Sequence, residues 1–336
     1  MHPVLALYDR NAWANGQVLR ACAALDPDVL EREVPGTFGP IANTLHHVVR
    51  AEQSYLKRLT GDDPSDWVQR DQLGDLDRLA ALAEESTERL RAVLAAGPDP
   101  QRLAWEVDEG RRAGVTDWVV LLEYVQHGDD HRAQIGTALG ASGIEPPDLS
   151  TLAFVESGPT APAGVVAGPW ADAVLERFLG HSTWATEALL ERCLELGDEA
   201  LAATTPGTYG TLHETLTHLL DADADYLARL TGAEYAALEG AAPPDVLRRV
   251  AERSRDGWRA YLASGPDPER ETAPRGGRPG ARAWMLVVQA VHHANEHRAH
   301  ACSILGAHGL THPDLDAWGY GWAAGALPDG GPADPA

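Results

Sequence analysis

The stretch WVVLLEYVQHGDDHRAQIGTALG at Trp118–Gly140 returns as WMLVVQAVHHANEHRAHACSILG at Trp284–Gly306, an offset of 166 residues. Both are long apolar segments without proline that end on glycine, the pattern of a buried helix with a glycine stop. Upstream, GPIANTLHHVVRAEQSYLKRLTG (Gly39–Gly61) lies over GTLHETLTHLLDADADYLARLTG (Gly210–Gly232) at an offset of 171, so Leu45, His47, Tyr55 and Leu59 fall on Leu216, His218, Tyr226 and Leu230. The chain is therefore two copies of one unit.

Of 14 histidines, six coincide between the copies: His47 with His218, His127 with His293 and His131 with His297. The other eight face different residue types, as His46 faces Thr217, His292 faces Gln126 and His300 faces Gln134. Background histidine has drifted between the copies while the triads have not, and this contrast marks them as the candidate chemistry.

The internal period divides the 336 residues into a first domain at 1–154, a linker at 155–169, a second domain at 170–325 and a disordered tail at 326–336. Each domain, at roughly 150 residues, is long enough to bury its own core. The seam VESGPTAPAGVVAGPW is rich in glycine, proline and alanine and has no amphipathic period.

Four helical patterns recur in each copy: Val4–Leu25 and Trp170–Leu196, Ile41–Gly61 and Thr211–Gly232, Leu73–Ala96 and Pro244–Ser264, Thr116–Leu139 and Ala281–Leu305. Thr116 reads as an N-cap. Segments Arg102–Val115 and Arg270–Gly280 read as irregular, with no convincing strands. The fold class is all-α, one four-helix bundle per copy.

A net charge of −23, with Lys57 the only lysine among 27 basic residues, disfavours nucleic acid and anionic membranes as partners. No apolar run approaches the ~20 residues of a membrane span, and MHPVLALYDRN lacks the features of a secretory signal. The expectation is a cytoplasmic protein acting on a small molecule. Cys22 and Cys193 lie at the repeat offset, in equivalent positions of different domains, and with Cys302 they read as free thiols rather than a disulfide framework.

His127 and His131 stand four apart on one helix, as do His293 and His297, so each pair projects from one face about a turn apart. A third imidazole from the facing helix, His47 or His218, completes a three-histidine set with an open position, the arrangement of catalytic rather than structural metal sites. Imidazole suits Zn, Ni, Fe or Cu; Zn is favoured here, with Ni and Fe as rivals. The competing reading is a set of core histidines bonded to backbone or carboxylates.

Asp130 and Glu296 immediately precede the last histidine of each triad. They are candidates for a general base or an outer hydrogen-bond acceptor, although one residue before a ligand points well off the ligand face. Arg132 and Arg298 follow that histidine and are candidates for holding an anionic cofactor or substrate. Trp13, Trp184, Asn15, Tyr55 and Tyr226 read as core residues.

The blocks HGDDHRAQI and HANEHRAHA, the earlier histidines in Leu45-His46-His47 and Leu216-Thr217-His218, and the later PPDL (Pro146–Leu149) and HPDL (His312–Leu315) resemble the DinB/YfiT-like superfamily over nearly the whole chain. The resemblance implies a four-helix bundle with a crossover connection, holding a divalent metal on three histidines. It also implies pairing of bundles, which two tandem copies would achieve within one chain as an intramolecular pseudo-dimer, leaving the protein a monomer. Characterised relatives include transferases and isomerases that use a low-molecular-weight thiol such as bacillithiol or mycothiol.

The leading expectation is thus transfer of such a thiol to an electrophilic substrate. The alternatives are a metal-dependent hydrolase using a metal-bound water and a non-catalytic metal-binding stress or scaffold protein.

Overall fold

The computed structural model describes residues 1–69, 74–108, 111–158, 165–238 and 240–332. The expected helix start at Leu73, the middle of the linker at 159–164 and the end of the tail at 333–336 lie outside them.

The first copy runs α1 (Pro3–Ala23), α2 (Pro27–Leu30), α3 (Ile41–Thr60), α4 (Leu76–Ala96), β1 (Leu103–Asp108), β2 (Arg111–Thr116), α5 (Asp117–Ala141) and α6 (Thr151–Glu156). The second runs α7 (Pro169–Leu196), α8 (Asp198–Leu201), α9 (Leu212–Thr231), α10 (Pro244–Ala263), α11 (Ala283–Ala307), α12 (Ala317–Ala323) and β3 (Asp329–Pro332). In the first copy α1, α3, α4 and α5 form the bundle, and in the second α7, α9, α10 and α11 do.

Local chemistry sets the helix ends. The α9 start is a capping box: the Thr211 side chain accepts from Glu214 N while the Glu214 carboxylate accepts from Thr211 N. Helices α3 and α9 stop at Gly61 and Gly232 in the left-handed region. Thr116 does precede α5, but its hydroxyl makes no cap; it donates to the Ala326 carbonyl from the far end of the chain.

Among the described residues, the buried apolar side chains fall into three clusters, and their distribution explains the pairing of the copies. One belongs to the first copy (Val18, Leu45, Val49, Ile135) and one to the second (Leu189, Leu216, Leu220, Ile304). The third is shared, with Leu7, Tyr8, Val119 and Tyr124 in one mass with Phe178, Val287 and Val291. Helices α5 and α11 pack directly on each other, and α1 packs on α7 and α11. The chain is an intramolecular pseudo-dimer because neither bundle closes over this central cluster alone.

Short segments cross the seam reciprocally. The Thr151 N–H at the start of α6 donates to Gln289 on α11 (3.0 Å), and the Ala317 N–H at the start of α12 donates to Glu123 on α5 (2.9 Å). Two loops make the same exchange. A side chain at Gly36 would stand 2.0 Å from the Ser303 carbonyl, and one at Gly207 would stand 2.1 Å from the Thr137 carbonyl, so only glycine admits this approach.

Two sequence expectations are corrected. Arg102–Val115 is not wholly irregular: β1 and β2 pair antiparallel with Leu103 opposite Thr116. The tail from 326 is not wholly disordered, since Ala326 and Leu327 are buried and β3 pairs with β2, giving a sheet ordered β1-β2-β3. The partner of β2 thus comes from more than 200 residues along the chain, where Gly114 N–H donates to Pro328 and Thr116 N–H to Ala326. Among the described residues, no helix is long and apolar enough to cross a membrane.

Candidate metal centre

Helix α5 presents His127 and His131 from successive turns, and α3, packed beside it, presents His47. The His127 and His47 Nε2 atoms are 2.9 Å apart, and the three ring centroids lie 4.7, 4.8 and 4.4 Å from one another. In the second copy the His293 and His218 Nε2 atoms are 3.1 Å apart, with centroids at 4.9, 4.7 and 4.3 Å. The two copies of the repeat thus hold their triads in the same geometry.

Within each triad the candidate ligand atoms lie within 4.8 Å of one another. Tetrahedral coordination at ~2.0–2.1 Å would space its nitrogens by roughly 3.3 Å, so each set fits a single ion with little movement. The donor chemistry fits as well. Burial, with the neighbouring imidazoles, lowers His47 to about 4 and His293 to about 3, and burial lowers His131 to about 4 and pushes His127 and His297 well below the usual range. At neutral pH these rings are uncharged, as metal ligands must be.

Three of the unmatched histidines behave differently. His46 bonds the Gln69 carbonyl at 2.6 Å, His213 the Ala242 carbonyl at 2.7 Å and His181 the Leu315 carbonyl at 2.7 Å. These are core histidines satisfied by backbone, whereas the triad Nε2 atoms of His47, His127, His218 and His293 face one another.

Each triad is framed by aromatic rings. Tyr55 and Tyr226, expected in the core, are buried there and set their rings against His127 and His293 at centroid distances of 5.7 and 5.8 Å. Phe38 stacks on His47 at 4.4 Å and Tyr209 on His218 at 4.2 Å, and each meets the last triad histidine edge-on. Phe38 is 51% exposed and Tyr209 46%, so each ring forms the mouth of its own site. Sequence reasoning missed them. The available signal was an aromatic at the repeat offset inside the matched turns EVPGTFGP and TTPGTYG.

The structure sets neither carboxylate candidate directly against a triad histidine as its hydrogen-bond acceptor. Asp130 accepts from the Gln134 amide at 3.0 Å, and it is Gln134 Oε1 that meets His131 Nδ1 at 3.3 Å. Burial raises the Asp130 carboxyl to about 6. Glu296 instead lines a cavity of about 120 Å³ at the seam, with Asp129, His292 and His300.

Arg132 and Arg298 do not occupy the solvent-facing positions that an anion holder requires. Both are buried: Arg132 donates to Asn15, Asn11 and Asp129, and Arg298 donates to Ser182, Thr186 and Asn295. One residue past a ligand, the helix turns the side chain by about 100° away from the ligand face and into the seam.

The same interior network holds a titrating carboxyl. Glu52, 2% exposed, accepts from Asn11 and Asn15 at 2.8 Å each, and burial outweighs these bonds to raise it to about 7. A raised carboxyl pKa stabilises the fold fully below the ordinary value of 4.5, and that contribution is lost as pH rises through 7. Wild type is therefore expected to lose about 3 kcal/mol more than Glu52→Gln between pH 4.5 and pH 8. Urea titrations across that range test it; parallel pH profiles for the two proteins would refute it.

The PPDL and HPDL motifs are tied down in the same region. Arg10 donates to the Leu149 carbonyl through Nε (3.1 Å) and Nη2 (2.5 Å), and His181, its repeat equivalent, takes the Leu315 carbonyl.

A family model described as the DinB family matches residues 1–162 and again 171–331. No curated protein matches the chain, and no solved structure does. Two matches covering nearly every residue, each enclosing one triad, establish that the chain belongs to the DinB family as a tandem pair of its domains.

Proposed function

We propose that the protein is a divalent-metal-dependent enzyme that transfers a low-molecular-weight thiol to an electrophilic small molecule, with one site in each half. The observation that carries this reading is the donor set: three neutral imidazoles, of which His47 and His127 in the first triad and His218 in the second are only partly buried, beneath an aromatic ring open to solvent. Three nitrogen donors and an accessible side are the pattern of a catalytic rather than a structural centre. A divalent ion held there, Zn in preference to Ni or Fe, would supply Lewis acidity that favours the thiolate form of an incoming thiol.

The protein's own residues supply position and environment. Burial keeps the imidazoles neutral, Tyr55 and Tyr226 fix the rings of His127 and His293 from behind, and Phe38 and Tyr209 offer an exposed apolar face to the carbon skeleton of a substrate. The thiol must come from outside, because burial raises the Cys22 and Cys193 thiols to about 12 and neither belongs to a triad. A monomer working in the cytoplasm, where free thiols persist, suits this chemistry.

A hydrolytic reading draws on Asp130, whose carboxyl at about 6 lies near the working range of a general base. The two readings separate on one experiment. Zinc-loaded protein is mixed with a fluorogenic alkyl halide and with cysteine, glutathione or a sugar-linked thiol in turn. Metal-dependent coupling that saturates in thiol, and falls at least hundredfold in a His131→Ala, His297→Ala double variant, is the expected result. Thiol-independent cleavage of an ester or amide, with no coupling, would replace transfer by hydrolysis.

A further inference from the structure

The two triads share their geometry but not their surroundings, and the difference falls on the nitrogen that a ligand histidine turns away from the metal. In the first copy His131 Nδ1 faces Gln134 Oε1 at 3.3 Å. Gln134 is itself fixed at both ends: its Oε1 accepts the Phe38 N–H at 2.9 Å and its Nε2 donates to Asp130 at 3.0 Å. The two contacts assign the amide orientation without ambiguity, since the oxygen meets the donors and the nitrogen meets the carboxylate. With Nδ1–H engaged, the His131 tautomer is set and its Nε2 lone pair is left for the shared centre.

In the second copy the residue at this position is His300. Among the described residues, the buried His297 Nδ1 has no partner, and His300 Nδ1 has none either. The His300 ring lies edge-on to His297 at a centroid distance of 5.5 Å and accepts nothing from it. An outer partner of this kind raises ligand basicity and removes the cost of orienting the ring, and losing one typically lowers metal affinity 10–100-fold.

We propose that the two metal sites are unequal, that the first is the tighter, and that Gln134 is the positioning residue responsible. The inference rests on metal binding by both triads but not on any catalytic activity. Its consequence is a graded protein: at limiting metal the His47–His127–His131 site fills while the His218–His293–His297 site stays largely empty. The repeat has then produced one retained high-affinity centre and one that responds to metal supply.

The test uses full-length single-site variants. His297→Ala keeps only the first site and His131→Ala only the second, and each is titrated with zinc against a chromophoric chelator of known affinity. The first site is expected to bind at least tenfold more tightly than the second. In the His297→Ala background, Gln134→Leu is expected to lower the affinity to that of the second site. In the His131→Ala background, His300→Gln is expected to raise it, a gain that misfolding does not produce. Equal affinities, a tighter second site, or no response to either outer substitution would overturn the proposal. Absence of stoichiometric zinc from both single-site variants and from wild type would instead overturn metal binding itself, and the proposal with it.

Discussion

Protein purified without a histidine tag and reconstituted with zinc is expected to hold about two ions per chain, falling to one in His131→Ala, one in His297→Ala and none in the double variant. The two sites share no donor, since one triad lies on α3 and α5 and the other on α9 and α11, so the losses should be independent and additive. Removing a ligand leaves two imidazoles and a cavity where the third stood. The loss should exceed the 10–100-fold cost of removing an outer hydrogen bond, enough to empty the site on desalting. His46→Ala and His213→Ala are the controls, because those rings are already bonded to the Gln69 and Ala242 carbonyls and should leave the stoichiometry at two. Metal content is read by inductively coupled plasma mass spectrometry. A wild type that takes up no stoichiometric Zn, Ni or Fe would reduce the triads to core histidines and remove the basis of any enzymatic reading.

The triads were legible in the sequence because their geometry is mostly local. A spacing of four residues on a helix fixes the relation of His127 to His131 whatever the tertiary structure, and the internal repeat supplied the third ligand. The bundles were legible for the same reason, since apolar period and glycine stops act within a few turns. What escaped was set by distance along the chain. The β1–β2 hairpin is completed by β3, and no local pattern at 102–116 announces a partner at 329–332. Arg132 stood beside a ligand in sequence and so suggested an anion site; beside Asp129 on its own helix, its partners are Asn11 and Asn15, which reach it only once α1 has packed on α5. Phe38 and Tyr209 lie in turns, where no helical or strand period distinguishes a functional ring from an incidental one.

The seam between the halves carries the second large effect. Asp129, on α5, accepts from Arg10 at 2.9 Å and from Arg132 at 2.7 Å, and all three side chains are at most 2% exposed. Burial alone would raise its carboxyl, but Arg10, His292 and Arg132 outweigh that and hold it well below the usual carboxylate range. It is therefore ionised at neutral pH and balances two guanidiniums that have no access to water. Its repeat equivalent, Asn295, is uncharged and approaches Asp129 Oδ2 across the seam at 3.5 Å, so the charge sits on one side of an otherwise symmetric contact. Asp129→Ala would strand both arginines, for which a loss of about 3–5 kcal/mol is expected. Asn295→Ala removes a neutral partner of Arg298, which keeps Ser182 and Thr186, and should cost only about 1 kcal/mol. Urea midpoints of the two variants at pH 7 decide the matter. If Asp129→Ala unfolds within a few tenths of a kcal/mol of wild type, the buried charges contribute nothing net to the fold, and stability at the seam rests on the shared apolar cluster of Leu7, Tyr8, Val119, Phe178 and Val287.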